Sequence, residues 1–169
     1  MTKIWRKMQY DEQLVQFIQR YQNDFYRLAN SYCKNEQDAL DIVQDSIQKA
    51  MQSYDQLEEK EKLKSWFYKI VVHTSLDFLR KHKRVHVMED EKLMSVYDHY
   101  EDHYENIDLE KALDDLPTQY RQIIILRYFE DLKIDDIAFI LEENANTIKT
   151  RLYKGLKLLK ADLQTEEEK

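Results

Sequence analysis

The chain has 169 residues, a formal net charge of −7, one glycine, one proline and one cysteine, Cys33. That length fits one domain or two small ones, and the lone cysteine excludes an internal disulfide. Tight strand turns rely on Gly, Asn or Asp, whereas this chain is rich in Leu, Lys, Glu, Gln and Arg, all good helix formers. The expected fold class is therefore all-α: two small helical domains joined by an acidic flexible linker, the C-terminal one containing a helix-turn-helix.

From about Tyr10 to Lys34, apolar positions recur at helical spacing: Leu14, Phe17, Ile18, Tyr21, Phe25, Leu28, Ala29 and Tyr32. This predicts two helices with a bend near Asn23. Cys33 falls in this apolar stretch and reads as a buried, inert thiol. After a short turn at Asn35 and Glu36, Gln37 to Tyr54 reads as a second helical unit with Leu40, Val43, Ile47 and Met51 on one face. Asp38, Asp41 and Asp45 recur three and four residues apart and share another face.

Asp55 to Lys62 is highly charged and reads as a loop. A long helix is predicted from Leu63 to about Arg84, with Leu63, Phe67, Ile70, Val71 and Phe78 inward and Arg80, Lys81, His82, Lys83 and Arg84 gathered at its end. Cations there also suit the helix macrodipole. Trp66 and Tyr68 follow Lys62 and Lys64, an alternation of aromatic groups and cations of the kind that binds single-stranded DNA. Core positions are the alternative for both, and the preferred reading for Phe67.

Val85 to Asp108 loses apolar periodicity and turns acidic, as a partly disordered linker would. His99, Asp102 and His103 could share a helical face there, but too few ligands accompany them for a metal site to be expected. A short helix over 109–116 follows. Pro117 is expected at the first position of the next helix, running from Thr118 to about Glu130.

Residues 133–160 read as two amphipathic helices joined by a tight turn, the build of a helix-turn-helix. Ile134, Ile137, Ala138, Ile140 and Leu141 form the buried face of its first helix, and Asn144 is placed to cap the second. Ile148, Leu152, Leu156 and Leu159 point inward. Asn146, Lys149, Thr150, Tyr153 and Lys154 then share an outward side, where cations hold phosphate and amides or hydroxyls reach base edges. Gly155 weakens a helix interior by about 1 kcal/mol against alanine, so it is either required by close packing or tolerated. The charge is thus segregated: two basic helical blocks flank an acidic stretch, and local potential rather than net charge decides which face meets phosphate.

No Gly-rich phosphate loop, clustered Cys/His pattern or recognisable Ser/His/acid arrangement is present, so neither an enzyme nor any cofactor is expected. The residues from Met1 to Lys7 carry no apolar run of signal-peptide length, and no stretch approaches the roughly 20 apolar residues of a membrane span. A cytoplasmic protein is expected.

Three stretches together resemble the extracytoplasmic-function (ECF) sigma factors of bacterial RNA polymerase. Asp38-Ala-Leu-Asp-Ile-Val-Gln-Asp-Ser-Ile-Gln-Lys-Ala resembles the family's polymerase-docking helix. Leu63-Lys-Ser-Trp-Phe-Tyr-Lys-Ile-Val-Val-His-Thr-Ser-Leu-Asp-Phe-Leu-Arg-Lys resembles its −10 element helices. Leu113-Asp-Asp-Leu-Pro-Thr-Gln-Tyr-Arg, continuing through Ile125-Leu-Arg-Tyr-Phe-Glu-Asp-Leu to Thr147-Ile-Lys-Thr-Arg-Leu-Tyr-Lys, resembles its −35 element domain. The resemblance implies three parts: a polymerase-docking and −10 domain over 1–87, an acidic linker over 88–107 along the RNA exit path, and a −35 helix-turn-helix domain over 108–169.

It also implies roles. Asp38, Asp41, Gln44 and Asp45 would face core polymerase. Lys64, Trp66, Tyr68, Lys69, His73, Thr74, Arg80, Lys81 and Arg84 would hold the opened −10 strand, with one base flipped into a pocket. Asn146, Thr147, Lys149, Thr150, Arg151, Tyr153 and Lys154 would meet the −35 duplex. The implied partners are core RNA polymerase, promoter DNA and a membrane-anchored anti-sigma factor, with control by envelope or extracellular stress. The sequence departs from the family at His73, where relatives often carry asparagine, at Glu142, in place of the usual turn glycine, and at Lys154-Gly155, in place of Arg-Ala; these departures bear on promoter preference. An autonomous helix-turn-helix regulator and a helical interaction protein without DNA are the other readings.

Overall fold

The computed structural model describes residues 11–86 and 107–167, which form seven α-helices, short 3-10 turns and one π-turn, with no strand among the described residues. The N-terminal half holds α1 (Glu12–Cys33), α2 (Glu36–Ser53) and α3 (Leu63–His86). The C-terminal half holds α4 (Ile107–Asp115), α5 (Thr118–Ile124), the π-turn Ile125–Phe129, α6 (Ile134–Leu141) and α7 (Ala145–Glu167).

The expected bend near Asn23 is absent; α1 is one helix of 22 residues. Its buried residues Leu14, Ile18, Phe25, Leu28, Ala29 and Tyr32 form one unbroken stripe, so packing along the whole length overrides the modest propensity of asparagine. The Asp11 carboxylate accepts from the Gln13 N–H to start α1, and the Asn35 side-chain amide oxygen accepts from the Asp38 N–H to start α2. The charged 55–62 stretch, expected as a loop, contains 3-10 turns at Tyr54–Gln56 and Lys60–Lys62.

Three turns are closed by non-glycine residues with left-handed backbone: Lys34, Asp131 and Glu142, with φ of 53°, 53° and 55°. The chain's one glycine lies instead inside α7. A Cβ at Gly155 would stand 3.1 Å from Tyr120 Cβ and 3.2 Å from Ile124 Cδ1, so close approach of α5 and α7 is the reason for glycine there. Pro117 is the N-cap residue of α5, one position before that expected. Buried Arg121 donates to the Asp114 and Leu116 carbonyls at 2.9 and 3.0 Å, satisfying the end of α4.

Aromatic packing centres the N-terminal half. Phe25 and Phe67 stack with ring centroids 4.3 Å apart, and Tyr68 meets Phe25 edge-on at 5.3 Å. One hydrophobic cluster runs from this group into Ile123, Leu126, Leu132, Ile137, Ile140 and Ile148 of the other half. A smaller one beneath α7 joins Ala112, Leu113, Leu116, Ile124 and Leu159. The halves meet directly, with α3 packed along α6 and α1 against α5.

Candidate polymerase and DNA-binding surfaces

The buried face of α2 consists of Ala39, Ile42, Val43, Ser46 and Ala50. Asp41, Gln44 and Asp45 are exposed and Asp38 is half-buried. Leu40, expected inward, is 43% exposed beside them, because small residues at 39, 46 and 50 line the side that packs. The face offers solvent three carboxylates, one amide and an isolated leucine, and within it only Asp45 is tied to a cation, Lys49, at 3.3 Å.

On α3 the candidates divide. Arg80 and Lys81 are exposed near the helix end, with Arg80 paired to Asp77 at 3.3 Å. Lys64 is half-buried with its ammonium 5.4 Å from the Tyr21 ring centre, and half-buried Trp66 packs on Phe67 and Tyr54. Arg84 lies in α3, its side chain outside the described residues.

The others face the second half of the molecule or the core. Tyr68, expected at a DNA surface, is fully buried, and its hydroxyl donates to the Glu130 carboxylate. Thr74 is 4% exposed and accepts from Lys49 Nζ at 3.2 Å. Both follow from helical geometry: Phe67, Val71, Thr74 and Ser75 line one side of α3 and Tyr68 and Val72 the adjoining one, so two faces of this helix are covered. Lys69 pairs with Glu142 at 3.4 Å and lies over the Phe139 ring at 4.3 Å. His73 lines a cleft between the halves with Leu76, Asp77, Gln122, Glu142 and Arg151.

The helix-turn-helix is built as its sequence implies. Ile137, Ile140 and Ile148 are fully buried, and Asn144 caps α7 by accepting from the Thr147 N–H at 2.8 Å. Asn146, Lys149, Thr150, Tyr153 and Lys154 are all exposed on α7, Tyr153 at 66%. Thr147 is half-buried beside the cap, and Arg151 is held by Glu143 at 3.1 Å. The outward row is a polar, cationic surface of the kind that enters a major groove.

Sequence reading missed Glu130. The residue is 3% exposed, and its carboxylate accepts from Tyr68 and pairs with Arg27 at 3.4 Å. Burial, above all, raises its carboxyl above the ordinary value, with the nearby Asp24 charge adding to this; the Tyr68 and Arg27 bonds oppose the rise. In turn, burial, the Glu130 charge and its hydrogen bond raise the Tyr68 hydroxyl. An acid in a charged stretch carries no sequence sign of burial; only its tertiary neighbours do. Among the described residues no group of three or more His, Cys, Asp or Glu side chains is placed to hold a metal, and no helix is long and apolar enough to cross a membrane. His99, Asp102 and His103 lie outside the described residues.

The sequence matches the family model Sigma-70 region 2 over residues 17–85 and Sigma-70, region 4 over residues 107–159. RNA polymerase sigma factor SigV of Bacillus subtilis (strain 168) is 54% identical over 154 residues, covering 91% of this chain and 93% of that protein. ECF RNA polymerase sigma factor SigW of the same organism is 26% identical over 159 residues, covering 85% of each. Among solved structures, the sigma factor RpoE in complex with the anti-sigma factor NepR from Bartonella quintana matches with a TM-score of 0.76 and 26% identity, over 88% of this chain and 95% of that one. Two helical regions in sigma order, a helix-turn-helix with an exposed polar recognition face, and a relative identical at more than half of the aligned positions lead to one assignment: the chain belongs to the RNA polymerase sigma factors, in the extracytoplasmic-function group.

Proposed function

We propose that this sigma factor docks on core polymerase through the acidic face of α2 and then holds two promoter elements, performing no bond chemistry itself. Residues 1–87 form the docking and −10 domain, 88–107 the acidic linker and 108–169 the −35 domain. Asp38, Asp41, Gln44 and Asp45 meet a basic surface of the polymerase, with Leu40 adding an apolar anchor among them. Lys64, Trp66, Lys69, His73, Arg80, Lys81 and Arg84 serve the opened −10 strand, with Tyr68 and Thr74 buried behind them. Asn146, Thr147, Lys149, Thr150, Arg151, Tyr153 and Lys154 serve the −35 duplex. The observation that carries this reading is the pairing, in one chain, of a region 2 helix with a bare acidic face and a region 4 recognition helix with a bare polar, cationic face. On this reading the protein works in the cytoplasm beside the polymerase.

Control by an anti-sigma factor, in response to an envelope or extracellular stress, is part of the proposal. Its support is the likeness to RpoE, solved in complex with the anti-sigma factor NepR.

Run-off transcription with purified core polymerase on genomic templates tests the reading. Initiation should depend on this chain, and Asp41→Arg with Asp45→Arg should abolish core pull-down while helical circular dichroism is retained. Undiminished pull-down by the double variant refutes the docking face. Tight duplex binding without polymerase and no initiation with it would point to an autonomous regulator.

A further inference from the structure

Of the α7 side chains expected at −35 DNA, Arg151 points away from the exposed row. Asn146, Lys149, Thr150, Tyr153 and Lys154 are exposed. Arg151 is half-buried and lines a cleft with Gln122, Ile140 and Leu141. Successive residues of a helix project about 100° apart, so the step from Thr150 to Arg151 leaves the groove-facing side.

The turn before the helix holds it there. Arg151 Nη1 donates to Glu143 Oε1 at 3.1 Å, across eight residues of sequence. The Glu143 N–H donates to the Ala138 carbonyl at 3.1 Å, so its backbone closes α6 beside the left-handed Glu142. The next residue, Asn144, caps α7. Glu143 thus secures the first helix with its main chain and the recognition helix with its side chain. The buried Ile137, Ile140 and Ile148 set how deeply α7 is seated, but apolar contact has no direction. A charged hydrogen bond does have one, and it resists rotation of the helix about its own axis. Both partners belong to the C-terminal half, so the pair is intrinsic to the helix-turn-helix.

We infer that Glu143 and Arg151 are positioning residues for −35 recognition: the pair sets the rotation of α7, and Arg151 itself touches no DNA. This rests on the reading of α7 as the −35 recognition helix. Lys149 and Lys154 act on phosphates or base edges directly. Arg151 serves the same duplex from behind, through the direction in which Asn146, Lys149, Thr150 and Tyr153 point.

The test uses holoenzyme, formed from the full chain and core polymerase, on the duplex promoter fragment that run-off transcription identifies. Affinity is measured over a salt series and on fragments altered at single −35 base pairs. Arg151→Ala and Glu143→Ala should each weaken binding about three- to tenfold, and the double variant no more than the worse single one. Discrimination should fall at several −35 base pairs together, while the salt slope stays that of the parent. The exchanged pair, Glu143→Arg with Arg151→Glu, should recover most of the lost affinity and discrimination, and it keeps the test decisive where circular dichroism shows a single variant unfolded. A salt slope smaller by about one in Arg151→Ala would put that guanidinium on a phosphate and overturn the proposal. So would unchanged or tighter binding by Glu143→Ala, or no recovery in the exchanged pair. Lys149→Ala is read separately: if it lowers neither affinity nor salt slope, the recognition-helix reading itself fails, whereas a Lys149 loss beside silent Glu143 and Arg151 variants strikes only the positioning role.

Discussion

Glu142 shows how a residue can depart from its family's habit and still hold its place. It ends α6 with a left-handed backbone, φ 55°, where a Cβ is strained by about 1–2 kcal/mol. The Lys69 partner returns little, since the Glu142 side chain is 63% exposed and such pairs contribute about 0–1 kcal/mol. Glu142→Gly removes the strain but adds chain entropy to the unfolded state, a loss of about 0.5–1 kcal/mol, so its stability should match or slightly exceed that of the parent. Glu142→Val keeps a Cβ and adds branching, so it should be less stable by about 1–2 kcal/mol. Denaturant midpoints for the pair decide this; equal midpoints would mean the turn is unstrained. The sequence marked Glu142 as unusual, but the sign of φ is a backbone fact that no pattern of side chains displays.

At the level of elements, α7 meets α5 at Gly155. Alanine there gains about 1 kcal/mol of helix propensity, yet its Cβ would press on Tyr120 Cβ, an atom fixed close to the α5 backbone, and on the more yielding Ile124 tip. The two effects nearly cancel for alanine. They do not for valine, whose added methyls have no space: Gly155→Val should lower stability by about 1–3 kcal/mol and loosen the recognition helix against α5. Thermal unfolding of both variants is the measurement, and a valine variant as stable as the parent would rule out close helix contact as the reason for glycine. Periodicity sufficed to find most of these helices, because a buried stripe repeats at the helical period. It failed at the bend in α1 and at Leu40, where hydrophobicity predicted burial but the small side chains of Ala39, Ser46 and Ala50 mark the side that packs.

For the whole molecule, docking of the halves is linked to protons through Glu130. The carboxyl is raised in the docked form, chiefly by burial; Asp24 and Arg27 of α1 and Tyr68 of α3 face it, and Tyr21 lies close to the Tyr68 hydroxyl. The docked form therefore holds the proton more tightly than an open form, in which Glu130 is hydrated. Docking is strongest below the ordinary carboxylate value and weakens as pH rises through the raised one. Energy transfer between dyes placed at the exposed positions 52 and 157, through Gln52→Cys and Lys157→Cys in a Cys33→Ser background, should fall as pH rises through that raised value. Glu130→Gln, neutral throughout, should stay docked with a flatter response, and a flat response from the unaltered chain would remove Glu130 as the titrating group.

The sequence by itself determined the all-helical class, the place of the helix-turn-helix, its Asn144 cap and the outward row on α7. These depend on local propensity, capping chemistry and a period, all of which are written along the chain. The tertiary structure alone decided that Tyr68 and Thr74 are covered, that Gly155 is needed for packing and that Glu130 lies buried between the halves. Burial of that kind depends on which distant surface arrives, and residues as far apart in the chain as Tyr68 and Glu130 share no local signal of their meeting.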